Sequence, residues 1–168
     1  MKYHVRRADR ELTDPTTLKQ ILTDTRYVTI ALTKDNTPYL VSLSHLYDES
    51  ANCIYFHCAK EGRKLDYMKE NPAVWGQALI DRGYVDGECN HLYASAMFGG
   101  TVELIADIQE KRRILGLIYA HQEKKPQPGA APDPHLARIG NDAEMTNVTV
   151  GRILIQELTG KVSKDFKF

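Results

Sequence analysis

The chain reads as a mainly β protein, a small six-stranded antiparallel barrel with flanking helices. Three observations predict this class. Alternating apolar residues recur in short runs separated by turn-forming residues at hairpin spacing. A double glycine, Gly99-Gly100, interrupts the longest of these runs, as a bulge or barrel bend does. Helical periodicity is confined to a few segments too short and too scattered to build a helical core.

Along the chain, Asp14-Pro15 opens a helix, with an N-cap carboxylate and a proline at the first helical position. Leu18, Ile21 and Leu22 give that helix one apolar face. From Arg26 to Thr33 the period changes to two, and Val28, Ile30 and Leu32 form the inner set. Lys34 to Thr37 is turn chemistry, and Pro38 to Leu46 alternates again. Asp48 to Asn52 is the next turn and Cys53 to Cys58 the next strand, so two successive hairpins make a meander. A short helix is expected from about Gly62 to Glu70, stopped by Asn71-Pro72, then a strand from Ala73 to Ile80. Asp81 to Glu88 reads as a polar loop, and His91 to Ile105 as a long strand. Asp107, with Glu110 three residues on, suggests a capping box for a helix ending near His121. Lys124 to Asp142 holds four of the seven prolines and no periodicity, which predicts a long loop. Thr146 to Leu158 is the last strand, closed by Thr159-Gly160. The 168 residues fit one domain, with its core between about 6 and 160.

Composition excludes several classes. The 22 basic and 22 acidic side chains cancel, so no overall field points to nucleic acid or an anionic membrane. Met1 to Glu11 has no apolar core, and no run approaches the roughly 18 apolar residues that span a bilayer. Cys53, Cys58 and Cys89 are an odd number, and reduced thiols in a cytoplasm are the simplest expectation. Cys53 and Cys58 point to opposite faces of one strand and no Cys-x-x-Cys spacing exists, so no metal site is expected. Serine-hydrolase elbows, Walker loops and dinucleotide fingerprints are missing.

One segment stands out. Ile54 to Pro72 reads as strand, glycine turn, two adjacent cations and helix, which brings Gly62, Arg63 and Lys64 to a helix N-terminus. Free backbone N–H groups, a guanidinium fork and an ammonium are the chemistry of a phosphate seat. Cations there oppose the helix dipole at about 0.3–1 kcal/mol each unless an anion joins them. The alternative is a solvated basic surface, and spacing alone does not choose between the two.

The run Tyr55-Phe-His-Cys-Ala59, with Gly62-Arg63-Lys64 and Asn71-Pro72 after it, resembles the FMN-binding split barrels related to pyridoxamine 5′-phosphate oxidase. The nearest subfamily is the nitroimidazole-resistance type. Arg6 to Glu11, Pro38 to Leu43, Tyr93 to Leu104 and Glu110 to Arg113 agree with it in order, so the likeness runs from about Arg6 to Gly160. The resemblance implies that Arg63 and Lys64 bind the phosphate of FMN, and that Phe56 and His57 lie along its ribityl chain and phosphate. It implies that the backbone of Val41, Ser42, Leu43, Ser44 and His45 faces the isoalloxazine ring. It further implies that Ser95 is contributed across the interface of a homodimer. Related members carry Pro and Asn near Ser42 and Ser44. The true oxidases have a basic residue where Leu40 stands and a C-terminal Trp that this chain lacks. The implied function is therefore an FMN-dependent oxidoreductase of small acceptors, nitroaromatics among them. A non-catalytic carrier or sensor of flavin or deazaflavin, and a haem-binding split barrel, are the alternatives.

Overall fold

The computed structural model describes residues 5–122 and 138–168. Among these residues, after a 3-10 turn at Ala8–Arg10, the main elements are β1 (Glu11–Leu12), α1 (Pro15–Asp24), β2 (Tyr27–Lys34), β3 (Thr37–Asp48), β4 (Cys53–Ala59), α2 (Arg63–Glu70), β5 (Ala73–Val85), β6 (Asn90–Ile105), α3 (Ile108–Gln122), α4 (Asp142–Thr146) and β7 (Val148–Val162). All pairings are antiparallel. The order β7-β4-β3-β2-β5-β6 closes when β6 pairs with β7, giving a six-stranded ring with the two-residue β1 beside β7. The barrel expected from hairpin spacing is present, and β1 is an addition too short to leave a period-two signal.

Local chemistry explains the elements that were legible. Asp14 caps α1 by accepting from the Thr17 amide at 2.8 Å. The β2–β3 hairpin turns through Asp35 and Asn36, both left-handed (φ 48° and 57°), the geometry that suits right-twisted strands. At Gly100 a side chain would place its Cβ 2.2 Å from the Leu154 carbonyl oxygen, and the β6–β7 register shifts between Gly99 and Gly100. The double glycine is thus the bend that closes the ring.

Three boundaries differ from expectation: long-range pairing extends β5 and β7, and a local cap starts α4 early. β5 runs on to Val85, past the expected loop at Asp81, by pairing Tyr84 with His91 and Val85 with Asn90 beyond an irregularity at Gly83. β7 extends to Val162 because Gly160 allows close approach to Leu18 and the Ser95 carbonyl. The Lys124–Asp142 loop ends earlier than expected, since Asn141 caps α4 by accepting from the Ala143 amide; residues 123–137 lie outside the described part. At α3, Asp107 accepts from the Glu110 amide, but the Glu110 carboxylate pairs with Arg113, so only half of the capping box forms.

Two apolar clusters hold the fold. One fills the ring, with Val28, Ile30, Leu32, Ile54, Phe56, Phe98 and Ile153, and takes in Leu18, Ile21 and Leu22 from α1. The other lies on the opposite face of β4, where Cys53, Tyr55 and Val150 meet Ile114, Leu115 and Ile118 of α3 and Met145 of α4. That second layer positions α3 and α4 beside the candidate site. Among the described residues no helix is long and apolar enough to cross a membrane.

Candidate functional site

Pairing along β3 creates an opening. From Thr37 to Ser44 this strand pairs with β2, but with β4 only from His45 to Asp48. β4 leaves β3 after Phe56 and follows β7 to Ala59. Beyond the His45–Phe56 pair, the β4-facing edge of Val41, Ser42, Leu43 and Ser44 therefore lacks a partner strand, and a seam opens between β3 and β4.

The N-terminus of α2 stands over this seam. Gly62 is its N-cap with φ 133°, a conformation that other residues rarely adopt, and no side chain caps the helix. The amides of Gly62, Arg63 and Lys64 have no acceptor among the described residues. Arg63 lies over the Tyr39 ring of β3, 5.7 Å from its centroid. Lys64 is close enough to Cys58 of β4 for its charge to pull that thiol's pKa down, against a larger upward push from burial. One cation thus stands on each side of the seam. Neither forms an ion pair among the described residues, whereas Lys34, near the other end of α2, is held by Glu70 at 2.8 Å.

The residues named from the sequence divide into two groups. His57, Ser42 and Ser44 are open to solvent or partly so, on the outer faces of β4 and β3. The Ser42 hydroxyl is 2.9 Å from that of Thr29, while His57 and Ser44 have no side-chain partner among the described residues. Partial desolvation lowers the His57 pKa from the ordinary histidine value. Leu43, His45 and Phe56 turn inward instead, and only their backbone can face the seam; Val41 packs against the same core. Phe56 fills the space that a Cβ on Gly151 would need, at 2.5 Å, which makes its ring a core element. The His45 imidazole, fully buried, makes a 2.7 Å hydrogen bond through Nε2 to the Leu22 carbonyl, and its Nδ1 has no partner. Ser95 is buried on β6, separated from the seam by β7 on one side and by β2 and β5 on the other. Its hydroxyl donates to the Lys161 carbonyl at 3.4 Å.

Sequence reasoning missed a cavity of about 500 Å³ beside the seam. Ser44 and His57 form its strand wall, Leu115, Ile118 and Gln122 come from α3, and Ile139 and Met145 from the α4 segment. The motif Glu110-Lys-Arg-Arg113 was its one visible signal. Arg112 donates to the Ile139 carbonyl at 2.9 Å and pairs with Asp142, while Lys111 donates to the Val148 carbonyl at 3.1 Å. These cations clasp α4 to α3 and so hold the cavity wall. Among the described residues no three His, Cys, Asp or Glu side chains gather as a metal site would require.

Solved structures share this architecture. A candidate 5-nitroimidazole antibiotic resistance protein from Bacteroides thetaiotaomicron is 26% identical, with 91% of this chain and 86% of that one covered and a TM-score of 0.74. The flavocytochrome Anf3 from Azotobacter vinelandii is 20% identical over 95% of this chain and 72% of its own, with a TM-score of 0.76. An FAD-binding protein from Mesorhizobium loti is 23% identical over 90% and 96%, with a TM-score of 0.63. At such identities the last two show the fold alone. No curated protein matches the chain. The sequence profile described as pyridoxamine 5′-phosphate oxidase matches residues 14–162, from the cap of α1 to the end of β7. The chain therefore belongs to the pyridoxamine 5′-phosphate oxidase family, and its ring of six strands opened between β3 and β4 is a split barrel.

Proposed function

We propose that this protein binds FMN along the β3–β4 seam and acts as an oxidoreductase that reduces small acceptors, nitroaromatics among them. The observation that carries the reading is the uncapped N-terminus of α2, with Arg63 and Lys64 unpaired on either side of the seam. This donor set, three free amides, a guanidinium and an ammonium, fits a phosphate dianion. The relatives described as a flavocytochrome and as FAD-binding support a flavin as its bearer. The relative described as a candidate nitroimidazole resistance protein supports the acceptor class. The exposed Leu40, where the oxidases carry a basic residue, speaks against pyridoxamine 5′-phosphate as substrate.

The bound flavin would supply the redox chemistry. The chain's own part is positional. Arg63, Lys64 and the α2 amides anchor the phosphate, and the unpaired edge of Val41 to Ser44 offers backbone donors and acceptors to orient the ring. His57, without a side-chain partner among the described residues, can hold or release one proton at its ring beside the seam.

The reading includes a homodimer seated on an uncovered sheet face. Leu40, Ala31, Trp75 and Gly99 form one row across four strands, and Leu40 is 66% and Trp75 50% exposed. Ser44, Tyr27, Leu79 and Ser95 lie on the same face four residues along these strands, so a second copy seated there would bring its Ser95 toward the seam. Three free cysteines fit a reducing cytoplasm.

The test is flavin retention in the double variant R63A/K64A, followed by absorption of the purified protein after reconstitution. Loss of about 100-fold or more in FMN affinity is expected from removing two charge-assisted contacts. Unchanged affinity would remove the phosphate assignment. A Soret band in place of flavin bands would transfer the reading to haem at His57. Turnover of a nitro compound with reduced nicotinamide separates an enzyme from a carrier.

A further inference from the structure

The cavity between α3, α4 and the strand wall differs in chemistry from the anion seat beside it. We propose that it is a separate compartment for an uncharged, mostly apolar molecule of one or two rings bearing an oxygen acceptor, and that it rejects anions. Its assignment as the acceptor's compartment rests on the flavin lying along the seam; its selectivity does not.

Size comes first. About 500 Å³ falls within the roughly 300–1,000 Å³ typical of small-molecule pockets. Leu115, Ile118, Ile139, Met145 and Val148 make the wall largely apolar.

Charge comes second. The two charged side chains on the lining, Arg138 and Glu144, face each other at 3.7 Å. Behind the wall, Arg112 is occupied by Asp142 and by the carbonyls of Ile139 and Gly140. Lys111 is occupied by the carbonyls of Val148 and Met145. A carboxylate or phosphate entering would lose hydration without meeting a free cation, which disfavours its binding.

Polar matching comes third. Ser44, His57 and Asn147 line the cavity with side chains that have no hydrogen-bonding partner among the described residues. They can serve one oxygen-bearing edge of a ligand whose body sits against Ile118 and Met145.

An isosteric pair of probes tests this by equilibrium dialysis against the purified protein, with and without FMN: 2-acetylnaphthalene, which is uncharged, and 2-naphthoate, its anionic counterpart. The neutral probe should bind at least about tenfold more tightly. Ile139→Trp, which fills the cavity, should weaken it by about tenfold or more while FMN affinity stays within about twofold. Asn147→Lys, at an exposed position that spares the fold, should shift preference toward the naphthoate by installing an unmatched cation. Equal binding of both probes overturns the proposal, as does indifference to Ile139→Trp and to Asn147→Lys. Competition between FMN and the neutral probe also overturns it, because the cavity would then belong to the flavin ring. If the protein binds the neutral probe as expected but no FMN, the flavin reading falls and the compartment stands.

Discussion

His45 and His57 both carry pKa values lowered in the fold, yet the two do different work. His45 is pushed down by burial, with the Leu22 and Arg26 carbonyls pulling part of the way back. His57 is pushed down by the protein around it and keeps its ring at the cavity. Both folded values lie below the ordinary 6.5. Above that pH neither state binds the extra proton and stability is unaffected. As pH falls below it the unfolded chain takes up protons that the folded chain refuses, so stability falls. Urea midpoints should decline from pH 7.5 to pH 5, and His45→Gln should flatten that slope even if it lowers the midpoint overall. A slope that is the same in the variant would assign the effect elsewhere. Asp14, Asp48 and Glu110, held low mainly by hydrogen bonds from Thr17, Ser50 and Arg113, act at more acid pH and do not share this window. Phe56 and His57 are adjacent, and the strand pleat sends one into the barrel core and the other to the site.

Each strand of the ring is shaped by where it can bend or diverge. Gly100 marks the β6 bend, and Gly100→Ala would set a methyl against the Leu154 carbonyl. A loss of about 2–3 kcal/mol is expected, measured by denaturant unfolding. Gly99→Ala meets the Trp75 ring instead, at 3.1 Å, and should cost less because a half-exposed side chain can shift. β3 and β4 pair only from His45 to Asp48, and their divergence opens the seam. α3 links that seam to the cavity, since Gln122 donates to the His45 carbonyl at 3.0 Å while Arg112 and Lys111 hold the α4 segment. A helix of five residues would be unstable alone. Here α4 is kept by its Asn141 cap, the buried Met145 and the cations of α3.

Across the molecule, the exposed row through Leu40 and Trp75 is the surface on which the proposed homodimer would form. Trp75→Glu should yield a monomer by sedimentation, with FMN affinity falling by about tenfold or more as the partner's contribution is lost. A variant that stays dimeric would place the interface elsewhere. Much of this protein was legible in its residues. Asp14-Pro15, Asp35-Asn36, Gly62-Arg63-Lys64 and Gly99-Gly100 each encode a cap, a turn, a donor cluster or a bend through chemistry that acts within a few positions. The order of those signals was enough to indicate an antiparallel barrel, and the family with it. What lay beyond reach depends on groups far apart in the chain. The run of β5 past Gly83, the reach of β7 through Gly160, the helix at Asp142 and the cavity between Ile118, Met145 and His57 arise from pairing and packing. The residues alone placed two adjacent cations at a helix N-terminus, because that arrangement is local. That these cations stand on either side of an open seam, next to a cavity without unpaired charge, depends on strand divergence and the α3–α4 clasp, which exist only once the ring has closed.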